Sequence, residues 1–259
     1  TAVGSQALFT VTTGNNNTAM GIGALQVNTS DNNTAFGHSA LIANTTGTQN
    51  VAVGAFALDS NTTAQENTMV GYAAGTAITT GSYNTAVGHI ALDANTTGIS
   101  NVALGIQALT ANTTANDNTA CGAYSLRDNT TGTFNTAVGR GALLANTTAS
   151  YNTAMGWSAL TANTTGAGSV AIGYQALTAQ TTGGPNVAVG QNALAACTTV
   201  WGNTAVGYYA GNATTTGAYN TVVGTEALES NTTGSSNVAI GMRALEANTT
   251  ASNNTALGY

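Results

Sequence analysis

Glycine recurs at one fixed phase along the whole chain, and this period constrains the fold more than any other feature of the sequence. The sixteen positions are Gly4, Gly21, Gly37, Gly54, Gly71, Gly88, Gly105, Gly122, Gly139, Gly156, Gly173, Gly190, Gly207, Gly224, Gly241 and Gly258. Every interval is 17 residues except one of 16, between Gly21 and Gly37. A repeat this short cannot bury an apolar face by itself, so neighbouring copies must stack and share one continuous core.

The residues before each glycine form a regular pattern. The repeat reads N-[TV]-A-V-G-x-x-A-L-x-A-N-T-T-[GA]-x-x. The residue directly before the glycine is always apolar, and the one before that is alanine in 14 of 16 copies, with Met69 and Val222 as exceptions. Threonine or valine precedes the alanine, and this alternation of β-branched and small residues is typical of a short strand. Glycine, threonine and asparagine recur too often for a helix.

We therefore predict an all-β fold, a β-solenoid of about fifteen 17-residue coils. Parallel stacking at ~4.8 Å should place identical residues over one another, so that side-chain amides bond from coil to coil. The composition does not change along the chain, and Pro185 is its only proline. The sequence therefore predicts one repeat domain over residues 1–259. Both ends fall within a repeat, so we expect a segment of a longer fibrous protein.

The charge content limits the partners. Charged residues make up 5% of the chain, the net charge is −6, and there is no lysine. So few cations cannot neutralise a nucleic-acid backbone or an anionic membrane surface, and no apolar run approaches the ~20 residues of a bilayer span. We expect neither nucleic-acid binding nor membrane insertion. All twelve charged side chains lie outside the Asn, Ala-Val-Gly, Ala-Leu and Thr-Thr columns, which indicates that the columns holding them face water.

Two copies of the strand segment resemble a known family. Ser169-Val-Ala-Ile-Gly173 and Asn237-Val-Ala-Ile-Gly241 are similar to the head repeat of YadA-like trimeric autotransporter adhesins. There a Ser-Val-Ala-Ile-Gly pentad recurs along a left-handed parallel β-roll, and three rolls pack about a common axis. Units of the N-T-A-V-G-x-x-A-L-x-x-N-T-T-G kind also resemble fibre repeats of phage tails and other large surface proteins. The adhesin repeat is shorter than 17 residues, so the extra residues are expected in the A-N-T-T-G segment.

The resemblance implies a left-handed parallel β-roll assembled as a homotrimer, in an extracellular fibre on a cell or virion surface. Its function would be structural and adhesive, with a host receptor or surface glycan bound through the variable columns. The small alanine before each valine suits close approach of two chains, so we expect alanine at the trimer seam and valine inside the roll. The candidate seam residues are Ala35, Ala52, Ala86, Ala103, Ala137, Ala188 and Ala205.

Few residues of this chain could support catalysis or metal binding. His38 and His89 share a column three coils apart, a separation of about 14 Å that is too large for one metal ion. Glu229 and Glu246 are neighbours in one column, and such pairs are more often solvated than catalytic. We expect no enzyme, no cofactor and no metal site.

The two cysteines differ in column and lie four repeats apart. This spacing predicts about 19 Å between them along the stack, too far for a disulfide. Cys121 takes a position that is otherwise apolar, so it is expected to be a small buried side chain.

Two alternative functions stay open. The first threonine of the Thr-Thr pair is present in all fifteen complete copies, and such an array looks like the ice-binding face of some antifreeze β-solenoids. The candidate face comprises Thr45, Thr46, Thr62, Thr63, Thr96, Thr97, Thr113 and Thr114. The other alternative is a self-assembling extracellular filament, because open strand edges at the ends invite end-to-end stacking.

Two surface features accompany these alternatives. The aromatic residues Trp157, Trp201, Tyr72 and Tyr208 could stack on sugars. Asn-x-Thr/Ser sequons recur in the turns, where a turn with an asparagine ladder is the simpler interpretation.

Overall fold

The computed structural model describes all 259 residues. It contains sixteen short strands and no helix, so no helix is present that could cross a membrane. The chain divides into two compact units, Thr1–Thr131 and Gly132–Tyr259, and both repeat the same 17-residue coil. Each unit is a β-solenoid, and the chain has about fifteen coils, which confirms the predicted fold class. The single domain over residues 1–259 stays a prediction.

Each unit holds eight strands, which pair in parallel in chain order. In the first unit they are β1 (Ala2–Val3), β2 (Thr18–Met20), β3 (Thr34–Phe36), β4 (Val51–Val53), β5 (Thr68–Val70), β6 (Thr85–Val87), β7 (Val102–Leu104) and β8 (Thr119–Cys121). In the second they are β9 (Thr136–Val138), β10 (Thr153–Met155), β11 (Val170–Ile172), β12 (Val187–Val189), β13 (Thr204–Val206), β14 (Thr221–Val223), β15 (Val238–Ile240) and β16 (Thr255–Leu257). Equivalent residues lie opposite one another, as Ala86 does to Ala103.

The one 16-residue repeat keeps this register. Thr18 pairs with Thr34 although the glycines that follow are a residue closer than elsewhere. The omitted residue belongs to the turn after the Thr-Thr pair, because the carbonyl of Ser30 accepts the amide hydrogen bond of Asn28 that a residue one position later accepts in other coils. The turn, not the strand, absorbs a change of length.

The central side chain of each strand from β2 to β15 points into the coil, and the two flanking side chains point outward. The leucine four residues after the glycine is buried on the opposite side of the interior. That these two columns face each other is evident at Met69, whose sulfur lies 2.8 Å from the position of a Cβ added to Gly75. Opposite a leucine, the strand position therefore holds a small side chain, which is alanine in most coils and valine at Val222.

The predicted alanine seam is therefore wrong. Alanine lies inside the coil with no accessible surface and cannot contact another chain, while valine faces outward. The residues concerned are Ala35, Ala52, Ala86, Ala103, Ala137, Ala188 and Ala205.

The invariant glycines end the strands with φ between +118° and +147°, which side chains disfavour. A Cβ on Gly139 would lie 2.6 Å from the carbonyl oxygen of Gly156 in the next coil, so close stacking also excludes one. The leucines after the bend take positive φ as well, +50° at Leu25 and +56° at Leu92. Nothing in the sequence predicts that strain, which burial of the side chain offsets.

Two buried asparagine ladders complete the interior. In the first, Asn101 donates from its backbone N–H and from Nδ2 to Oδ1 of Asn84, at 2.9 Å and 3.1 Å. In the second, Asn112 donates from Nδ2 to Oδ1 of Asn95 at 2.9 Å. Both Asn101 and Asn112 also donate to the carbonyl oxygen of Ala115. The predicted rung-to-rung amide bonding is thus confirmed.

The second ladder contains the sequon asparagines, so their amide nitrogens already serve the fold. The buried ones are Asn44, Asn61, Asn95, Asn112, Asn129, Asn146, Asn163 and Asn231, and Asn248 is half-buried. Where Ile78 replaces the next asparagine, Oδ1 of Asn61 is left buried without a donor.

Candidate functional surface

The outward side of the strands is a continuous uncharged surface, which we call the strand face. It comprises two columns in each unit: the threonine or valine three residues before the invariant glycine, and the apolar residue directly before it. Several large apolar side chains are exposed in the second column, for example 36% at Ile172 and 51% at Phe36. Sequence reasoning placed these side chains inside, so it missed this surface.

The column after the glycine carries exposed rings, as predicted for Tyr72, Trp157 and Tyr208, and Tyr174 is exposed in the same column. In the second unit Trp157 and Tyr174 stack with centroids 5.1 Å apart and planes 10° from parallel. In the first unit the plane of Tyr72 lies 14° from that of His89, at a centroid distance of 5.4 Å. Each ring of such a stack covers one face of its partner, which leaves less open face for a sugar ring than an unstacked ring has.

A second aromatic group lies at the ends of the repeats in the second unit. Phe134 and Tyr151 stack on each other there, whereas neither Trp201 nor Tyr219 is stacked on another ring. We call Trp201 and Tyr219, which are 60% and 66% exposed, the aromatic patch. A Cβ on Gly202 would lie 2.7 Å from Cδ1 of Tyr219, so the tyrosine ring covers this glycine. Other residues in the column, such as Tyr83, take the same positive φ, so the backbone does not require glycine there. Because Gly202 has no side chain, the ring of Tyr219 can pack directly over its backbone.

The candidate threonine face has one column of free hydroxyl groups instead of two. The first threonine of each pair donates to the next coil, as Thr62 Oγ1 does to the carbonyl of Thr79 at 3.1 Å. The same bond is made by Thr45, Thr96 and Thr113. The second-position hydroxyls are exposed at Thr46, Thr63, Thr97 and Thr114. All of these pairs lie in turns outside the strands, and ice binding stays a prediction.

Three carboxylates come together in the second unit. Glu226, Glu229 and Glu246 each place an oxygen within 4.8 Å of the others. Nε of Arg243 lies 2.7 Å from Glu226 and 3.9 Å from Glu246. The hydrogen bond with Glu226 raises the pKa of the Arg243 guanidinium above its ordinary value. From the sequence we identified only the neighbours Glu229 and Glu246. Glu226 and Arg243 carry opposite charges in one column of adjacent repeats, and this pattern could have indicated the whole surface ion network.

The two free thiols differ in environment. Cys197 is buried, and desolvation raises the pKa of its thiol to about 11, so it stays protonated at neutral pH. Cys121 is half-exposed on the strand face, which corrects the expectation that it is buried. The two histidines, His38 and His89, are exposed and are separated by the rings of Phe56 and Tyr72.

Comparison of the chain with family models, with curated proteins and with solved structures finds no match.

Proposed function

We propose that this chain is a segment of an extracellular fibre, carried on a cell surface or a virion, with a structural and adhesive role. The observation that carries the proposal is that, within each coil, one set of columns holds the fold together and another set is exposed. The conserved alanine, leucine and asparagine columns turn inward and are used in packing and ladders. The variable columns, the strand face and the second threonine of each candidate pair are left available to other molecules.

This division suits a fibre, because each coil is held by its immediate neighbours and length can change without a new design. The proposed partners are further copies of the chain, in a homotrimer of left-handed rolls, and a host receptor or surface glycan. End-to-end stacking into a filament is a further form of the same self-association.

A structural role based on repetition predicts that one whole coil can be removed. Deletion of residues 89–105 joins Gly88 to Ile106 and keeps every column in phase. We expect the shortened protein to keep its β-type circular dichroism and a cooperative thermal transition within roughly 5 °C of the parent. Deletion of residues 89–97 alone, which breaks the phase, should abolish that transition. Loss of folding in both deletions would contradict the proposal.

The adhesive role predicts binding of neutral glycans at the aromatic patch, because the apolar face of a pyranose stacks on an open aromatic ring. On a glycan array, we expect Trp201→Ala and Tyr219→Ala each to weaken binding by roughly tenfold or more. The matched control is Trp157→Ala, which removes a ring already stacked on Tyr174 and should leave binding unchanged. A wild-type protein that binds no glycan, or an equal loss in all three variants, would refute this site.

A further inference from the structure

The strand face is a regular surface of each unit that the coil leaves without a partner. Its two columns contain only threonine, valine and other apolar residues, while the charged side chains occupy other phases of the repeat. Large side chains such as Met20, Met155 and Ile240 stand in it at 37% to 42% exposure. A contiguous uncharged surface that exposes many large apolar side chains marks an interaction site.

The width of such an interface can be bounded. A stable association buries about 800 Å² on each partner, or roughly 100 Å² from each of the eight strands in a unit. One half-exposed side chain per coil cannot supply that area. Both columns of the strand face must take part, with help from the exposed apolar residues two positions further along, such as Ile22, Ile106 and Met242.

The period of the face selects its partner. Equivalent residues lie opposite one another in neighbouring strands, as Val170 does to Val187, so the face repeats at the spacing of the coils. A partner must present an uncharged row with the same spacing over several coils. A second copy of this chain has that row by construction, and in a rotationally symmetric assembly with parallel axes identical coils lie level.

We propose that the strand face is the surface through which copies of this chain associate, with the residue directly before each invariant glycine at the centre of the contact. This inference rests on the proposed self-association of the fibre segment and replaces the alanine column with the two columns that flank it. Identical residues of neighbouring copies then converge at every level of the assembly.

The first test places a charge in the contact. We expect the wild-type mass from light scattering to be near three times the 25.5 kDa of one chain. Val87→Glu and Val206→Glu, both at exposed positions, should weaken association by roughly 100-fold or more, because like charges converge on the axis. Thr97→Glu and Thr216→Glu add the same charge at exposed positions of the same two coils but off the face, and should leave the mass unchanged. Unchanged thermal unfolding at high dilution shows that the variants fold.

The second test uses the native thiols. A short bis-maleimide should join Cys121 of one copy to Cys121 of another, giving a covalent dimer on a denaturing gel. Cys197 is the internal control, because its buried thiol should not react in the folded protein. The Cys121→Ser variant should give no dimer.

The outcomes separate two failures. A wild-type mass near one chain overturns both the inference and the proposed self-association, while leaving the glycan test standing. A mass of two or three chains that survives Val87→Glu and Val206→Glu, with no cross-link at Cys121, overturns the face alone. An oligomer that is lost in those variants and cross-links through Cys121 supports the inference.

Discussion

Replacing Gly139 by alanine is expected to lower the free energy of unfolding by about 3 kcal/mol or more. The residue sits at φ +122°, and its new Cβ would lie 2.6 Å from the carbonyl oxygen and 2.8 Å from the carbonyl carbon of Gly156. Both atoms are backbone and cannot move aside without separating two coils. The measurement is the thermal midpoint by circular dichroism, where a loss of roughly 6 °C or more is expected.

The control for this substitution lies two residues away. Gly141 has φ +68°, within the left-handed region that many non-glycine residues of this chain adopt. The nearest atom to its added Cβ is Cδ1 of Leu144 at 3.7 Å, an ordinary contact. Gly141→Ala should therefore change the free energy of unfolding by less than about 1 kcal/mol. Similar losses at Gly139 and Gly141 would show that coil stacking does not set the glycine requirement.

Restoring the consensus leucine at Gly75 is expected to destabilise the first unit by about 3 kcal/mol. A Cβ there would lie 2.8 Å from the sulfur of Met69 and 3.0 Å from Cδ1 of Ile78. These two residues replace the usual alanine and asparagine, so the missing leucine makes room for the additional side-chain volume. Chemical denaturation measures the change.

The same three positions provide the decisive comparison. The triple variant Met69→Ala, Gly75→Leu, Ile78→Asn returns the coil to consensus and supplies a donor for Oδ1 of Asn61. It should be within about 1 kcal/mol of the wild type or more stable, a strong departure from additivity. Gly211→Leu is a useful parallel, because Ala205 is retained there and the nearest neighbour is the flexible tip of Leu194 at 3.1 Å. Its cost should be smaller than that at Gly75, and additive effects at the three sites would contradict coupled packing.

The period of the glycines was sufficient to predict the fold class, because a unit that cannot bury its own apolar face has to stack. It was not sufficient to decide which side of the strand faces inward. The alternation of side chains along a strand predicts that Ala86 and Val87 lie on opposite sides of it. It does not predict which of the two sides faces the interior. The deciding factor is volume: the leucine column fills most of the interior, and the strand position opposite it is alanine in 14 of 16 copies. Preference for hydrophobic burial alone would have chosen valine.

The candidate surface was less predictable for local reasons. Two adjacent threonines look equivalent in sequence, yet Thr62 donates to the next coil and the Thr63 hydroxyl does not. The open ring face of Tyr219 depends on Gly202 in the preceding coil, a relation between residues 17 apart that single-residue reasoning overlooks. Trp157 and Trp201 are the same residue type in different columns, and only Trp157 has a stacked neighbour.

The in-register pairing of the strands has a consequence for how the gene can change. Recombination between two alleles misaligned by one repeat adds or removes 17 codons, and each strand at the junction still meets a strand of its own kind. The turn after the threonine pair also tolerates the loss of one codon, as the coil between Gly21 and Gly37 demonstrates. Length is therefore a heritable trait that can vary between lineages in whole steps, while the surface columns diverge residue by residue.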